Sequence, residues 1–145
     1  MILLVTTERD GKPRRSAAEL VTAAGKLGGE AHALVLGPGA ADAASALAAL
    51  GPDVTALRAP FDTAEAVAAA AAERAQALGA DVVLFAADRL GLSAAPRVAV
   101  RLGGALLEDV TDVSREGGAV RGRRFSYLSR VTETVEASSG PVVVS

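Results

Sequence analysis

The chain has no cysteine, a single histidine and only 3 % aromatic residues among its 145. Without cysteine there is no disulfide, no thiolate nucleophile and no cysteine metal site. His32 stands alone, which excludes the paired-histidine metal motifs. The formal charge is −2, from 15 basic and 17 acidic side chains, so no global field draws nucleic acid or an anionic membrane. No apolar run approaches the roughly 20 residues of a membrane span. The opening Met1-Ile2-Leu3-Leu4-Val5 is too short for a secretory leader and is followed at once by acid and base. A soluble, cytoplasmic protein is expected.

What is present is aliphatic. Half the residues are hydrophobic, so the core must be built from Ala, Val and Leu. Alanine-rich runs alternate with valine-rich runs, which points to helices packed on strands, and the length fits one domain. Ile2 to Thr6 is a short apolar run of the kind a parallel strand buried on both faces requires. A polar loop with Asp10-Gly11 follows, and Ser16-Ala17-Ala18-Glu19 spells a capping box opening a helix that Gly28-Gly29 stops. Ala31 to Leu36 is a second strand, and Gly37-Pro38-Gly39 turns into a helix ending at Gly51. Val54 to Leu57 is a third strand. Asp62-Thr63-Ala64-Glu65 caps a third helix running to Leu78, before Gly79. Asp81 to Ala86 is a fourth strand, and a helix from about Ser93 to Leu102 stops at Gly103-Gly104.

Four strand–helix units in succession require crossovers, hence a three-layer α/β fold with a mainly parallel sheet. In such sheets ligands or partners meet the carboxyl ends of the strands. Here those ends are the loops Thr7–Pro13, Gly37–Ala40, Arg58–Phe61 and Ala87–Ser93. After Gly104 the pattern changes. Leu106 to Ser114, Ala119 to Tyr127, Val131 to Ala137 and Val142 to Ser145 are strand-like and separated by turns, so they are expected as antiparallel additions to the sheet. Val142–Val144 is apolar with no polar tail, which leaves open an interrupted chain or a natural terminus, with something covering it.

Few residues invite chemistry. Gly37-Pro38-Gly39 sits where a helix N-terminus could hold an anion, but it is only G-x-G after the second strand, so a plain turn is expected. His32 near the start of a buried strand is expected to pack or to hydrogen-bond backbone. Asp109 and Asp112 are expected three apart on one strand and therefore on opposite faces. No nucleophile elbow, P-loop or carboxylate pair stands out. From Arg115 onward five arginines face three glutamates, so that segment is about +2 and the part before it about −4. Arg121, Arg123, Phe125 and Tyr127 alternate onto one face of a strand and Arg124 onto the other. Such charges either protect a sheet edge or form a surface that docks a partner or leans toward a cofactor's phosphates.

Ser93-Ala94-Ala95-Pro96-Arg97-Val98-Ala99, then Glu108-Asp109-Val110-Thr111, resembles a motif of electron-transfer flavoprotein α subunits, where a serine turn leads to Leu-Pro-Arg-Val-Ala and then Ser-Asp-Val. Arg124-Phe125-Ser126-Tyr127-Leu128-Ser129-Arg130 with Thr134-Val135 is similar to the family's Arg-Pro-Ile-Tyr-Ala-Gly-Asn and Thr-Val, departing at Phe125, Ser126 and 128–130. The opening strand, Asp10-Gly11-Lys12 and Leu27-Gly28-Gly29 also resemble the family, so the likeness spans the chain in order.

The resemblance implies a nucleotide-binding-like fold, similar to adenine nucleotide α-hydrolases, with residues 1–145 a single N-terminal-type domain. It implies an αβ heterodimer in which the β subunit docks here and the complex serves dehydrogenases and an electron acceptor. FAD is implied in the intact protein, held mainly by a second domain absent from this chain, so no cofactor-binding, catalytic or metal residue is carried over. Ser93, Pro96, Arg97, Asp109, Arg124, Tyr127 and Arg130 are expected as partner-facing or structural residues. Pro96 suits the first turn of its helix, where its missing N–H removes no bond; Arg97 is expected to reach Asp109 or the partner. The competing reading is a free-standing adenine-nucleotide module similar to universal stress proteins. Their glycine-rich segment after the fourth strand is missing from Ala86–Ser93. An enzyme with its own active site is the weakest reading, for want of a constellation.

Overall fold

Ile2 to Val5 has no exposed face, and the first strand takes the central position that this requires. The computed structural model describes residues 1–145. Strand β1 (Ile2–Arg9) pairs in parallel with β3 (Ala31–Leu36) on one side and β5 (Val82–Phe85) on the other. Beyond β3 lies β4 (Asp53–Leu57), also parallel. The crossover helices are α1 (Ser16–Leu27), α2 (Ala40–Ala48), α3 (Ala64–Leu78) and α4 (Arg89–Leu102). A two-residue strand, β2 (Lys12–Pro13), folds back antiparallel on β1 inside what reads as a loop.

Two aliphatic layers sandwich the sheet. Leu3, Val5, Leu34, Leu36, Val83 and Phe85 pack under α3 and α4. Ile2, Leu4, Ala33, Val35, Val82 and Leu84 pack under α1 and α2. Alternation along each strand supplies both layers, which is why the runs are continuously apolar. Alanine dominates the buried helix faces (Ala68, Ala71, Ala72 and Ala75 on α3), so the helices lie close to the sheet without large side chains.

The carboxyl-terminal third carries the main departures from expectation. The run 106–114 is split: β6 (Ala105–Leu107) ends, Asp109 takes a left-handed conformation (φ 55°), and β7 (Val110–Glu116) starts again with a register shift at Thr111. Asp109 and Asp112 therefore do not share a strand. β7, β8 (Ala119–Ser126) and β9 (Val131–Ala137) form their own antiparallel sheet instead of extending the first. Val113, Val120 and Ala137 on its inner face join the α1/α2-side core.

The last strand, β10 (Val142–Val144), then returns to the main sheet and inserts in parallel between β5 and β6. The main sheet order is β4-β3-β1-β5-β10-β6. Val142–Val144 is thus an interior strand, buried by its own chain (Val143 is fully buried), which accounts for its apolar character.

One of the two expected helix caps is missing. Ser16 is already helical and Arg15 precedes it with no side-chain cap, so the capping box does not form. At α3 the cap does form, through Thr63, whose hydroxyl accepts from the Ala66 N–H at 3.2 Å. No helix is long and apolar enough to cross a membrane.

Candidate functional site

The expected site residues fall into two groups on different layers. Asp88, not Ser93, starts α4: its Oδ1 accepts from the N–H groups of Leu90 (3.1 Å) and Gly91 (2.8 Å). Ser93 is one turn in, with its hydroxyl donating to the Arg89 carbonyl at 2.8 Å. Pro96 lies in the helix interior, so its lack of an N–H removes the bond to the Leu92 carbonyl, where a first-turn proline would cost nothing. Arg97 turns to α3, not to Asp109. Its Nε lies 2.9 Å from Glu65 Oε1, and its Nη1 donates to the Ser93 carbonyl at 2.5 Å. The Glu65 carboxyl is held below its ordinary pKa by its own backbone N–H and by Arg97. Both partners are open to solvent, where such pairs add little. Arg97 alone of the three bonds across to α3, while Ser93 bonds within α4.

The second group gathers at one end of the three-stranded sheet. The arginines of this sheet do not form an open cationic surface. Arg121 bonds Glu136 (2.5 Å) and Glu116, Arg123 bonds Asp112 (3.1 Å), and Arg124 bonds Glu133 (2.6 Å) across the β8–β9 ladder. Lys26 of α1 joins Asp112 at 2.5 Å and draws its carboxyl below the usual range. Arg115 reaches Asp81 at 2.8 Å beside the Met1 ammonium. Burial opposes the Asp81 carboxylate, and these two cations outweigh it, so its pKa is lowered. Of the five arginines only Arg130 makes no ion pair.

Tyr127 is not on a strand face. Tyr127, Leu128 and Ser129 form the β8–β9 turn, all three with left-handed backbone (φ 50°, 55° and 62°). Tyr127 is 80 % and Leu128 93 % exposed, and Phe125 and Val131 flank them half-exposed. Val110 pairs with Arg124 and follows the Leu107–Ser145 end of the main sheet, so this turn projects past the carboxyl edge of the fold. The sequence pattern marked Tyr127 and Arg130. It carried no sign of the apolar tip, because side-chain alternation extended the strand to Tyr127, the first residue of the turn.

At the carboxyl edge itself, β1 has left for one side of the sheet and β5 lies on the other, the arrangement that opens a crevice. A cleft of about 550 Å³ is lined by Thr7, Glu8, Arg14, Pro38, Asp62 and Arg89, among others. Four of the amide donors at this edge are in use. Asp88 takes those of Leu90 and Gly91, and Glu8 takes Gly11 N–H (2.8 Å) and Gly39 N–H (3.1 Å). No three His, Cys, Asp or Glu side chains converge to hold a metal. His32, expected to pack or to hydrogen-bond backbone, is half-buried, and its Nε2 lies 2.8 Å from a side chain, Thr55 Oγ1.

Burial, then Arg74, lowers the His32 pKa, with Asp53 opposing. Folding therefore favours the neutral ring, and this contribution is complete above the ordinary histidine pKa near 6.5 and is lost as pH falls through the lowered value. The urea midpoint of the wild type should fall between about pH 7 and 5.5. A His32→Gln chain should show a shallower fall over that window; an identical slope would remove His32 as the cause.

A family model for the electron transfer flavoprotein domain matches residues 2–145. The chain belongs to that family. Among curated proteins none is significantly similar in sequence. Among solved structures, maleylacetate reductase from Agrobacterium tumefaciens is similar at 22 % identity and a TM-score of 0.39, over 98 % of this chain and 40 % of that one. The chain thus spans less than half of that structure's length.

The family's electron carriers are flavoproteins, so whether this electron transfer flavoprotein domain could hold a flavin is a question its residues can answer. At the strand ends, where a flavin's phosphates would seek amide donors, Glu8 already takes the Gly39 N–H and Asp88 takes those of Leu90 and Gly91. These occupied donors do not suit a phosphate.

Proposed function

We propose that this chain is the N-terminal scaffold domain of an electron-transfer flavoprotein α subunit, which docks the β subunit and leaves FAD to a second domain. The observation that carries this reading is the β8–β9 turn. Tyr127 and Leu128 occupy left-handed backbone that disfavours them by about 1–2 kcal/mol each. Both also put large apolar side chains into water. Neither cost serves an isolated domain. Burial of the tip against another protein removes the exposure cost, and the energy gained there offsets the backbone strain. The family's heterodimeric character supplies the partner class, and dehydrogenases and an acceptor would be served through the complex. FAD bound on the second domain would accept and pass on the electrons; this chain's part is to hold the assembly.

Co-expression with its β-like partner subunit should yield a one-to-one complex on gel filtration. A chain that runs as a monomer beside its partner would sink the proposal, as would stoichiometric FAD on the chain alone.

A further inference from the structure

The Gly37–Gly39 turn has the form of an anion cradle and already has an occupant. Glu8, near the end of β1, accepts from Gly11 N–H through Oε2 and from Gly39 N–H through Oε1. The two donors come from separate loops, the β1–β2 turn and the β3–α2 turn. The positive end of α2 adds a favourable field. The backbone is shaped around the carboxylate. A Cβ on Gly37 would lie 2.6 Å from Glu8 Oε1, and one on Gly39 would lie 2.9 Å from Oε2 and as close to the Gly11 Cα. Arg14 and Arg89 line the adjoining cleft, and neither is in an ion pair. Arg14 only donates to the Thr7 hydroxyl at 2.8 Å.

Two amides, two close-fitting glycines and two uncommitted cations are what a phosphate would seek. We propose that Glu8 is a tethered anion resident in this cradle, and that it closes the carboxyl edge of this chain to phosphate-bearing ligands. A carboxylate on the same chain competes at the high local concentration of any tethered ligand, so a free phosphate would have to displace it. The same contact ties the β1–β2 hairpin to the β3–α2 turn. The inference stands apart from the docking reading, since the cradle and the β8–β9 tip share no residue.

Thermal melts in inorganic phosphate against chloride at matched ionic strength test it. Wild type should show no phosphate-specific shift. Glu8→Ala should melt roughly 5–10 °C lower in chloride, and about 20 mM phosphate should return roughly 2–4 °C of that loss. Glu8→Gln keeps the side chain's volume, so it should melt lower than wild type by a smaller margin and gain nothing from phosphate. If Glu8→Ala does not refold in chloride, its refolding in phosphate is scored instead, and failure there counts against the proposal. A phosphate gain in wild type, or a Glu8→Ala chain that is as stable as wild type or indifferent to phosphate, would overturn it.

Discussion

A chain carrying Tyr127→Asp and Leu128→Asp should lose its partner subunit while melting within about 2 °C of wild type. The side chains are 80 % and 93 % exposed, so removing them takes nothing from the core. Their backbone angles point the same way. Aspartate tolerates left-handed backbone better than tyrosine or leucine, so the substituted turn is under less strain than the native one. Binding should respond in the opposite direction. Two apolar anchors at the centre of an interface are each worth about 2 kcal/mol or more, and burying a carboxylate there adds a desolvation cost. The expected loss of affinity is at least roughly 100-fold, measured by titrating one purified subunit into the other. Arg130→Ala, at the rim of the same turn, should change the association rate and its salt dependence more than the affinity. Wild-type affinity in the aspartate pair would place the docking surface elsewhere. A large fall in melting temperature would mean that the turn packs against its own domain.

Much of the fold is legible because parallel sheets impose a coarse grammar. β1, β3 and β5 carry apolar runs at Ile2–Val5, Ala33–Leu36 and Val82–Phe85, α2 and α3 are alanine-rich, and the Gly28-Gly29 and Gly103-Gly104 pairs mark two helix ends. What fails is whatever depends on distant partners. Val142–Val144 reads as a strand, but three valines contain nothing that specifies insertion between β5 and β6, and that place was reserved by the β5-to-β6 crossover about 40 residues earlier. Pro96 suggests a helix start only while Asp88 goes unrecognised as the cap, and Gly91 in the first turn disguises the helix as a loop.

The arginines were legible as charge but not as ion pairs. Glu133 and Glu136 lie opposite Arg124 and Arg121 only once the β8–β9 register is set. Asp109 is the carboxylate that the motif offers to Arg97, whereas Glu65 comes from the preceding crossover and is brought in by helix packing. The cradle shows the same division: Gly37-Pro38-Gly39 is visible as a possible anion turn, while its occupant sits 31 residues away from Gly39.

The packing of α4 leads to a test in which one chemical change, glycine to alanine, should have opposite signs at different sites. At Gly91 a Cβ would lie 2.0 Å from the Ala86 carbonyl oxygen, and at Gly104 it would lie 2.2 Å from that of Pro141. Both obstacles are backbone, at the end of β5 and just before β10, so relief requires moving a strand. Gly91 also donates to the Asp88 cap, and Ala105 N–H bonds the Pro141 carbonyl at 2.9 Å. A displaced strand would therefore break hydrogen bonds as well as packing. Each of these substitutions should cost about 3 kcal/mol or more, roughly 10 °C in melting temperature for a domain of this size. Gly25, inside α1, has nothing within 4 Å of its would-be Cβ. There alanine should stabilise by about 0.5–1 kcal/mol, through helix propensity and a less flexible unfolded chain. Melting curves of the three single variants decide the matter. Gly91→Ala or Gly104→Ala melting like wild type would show that α4 does not seat against the strand ends as described, and with it would go the placement of β10 as the strand that completes the sheet.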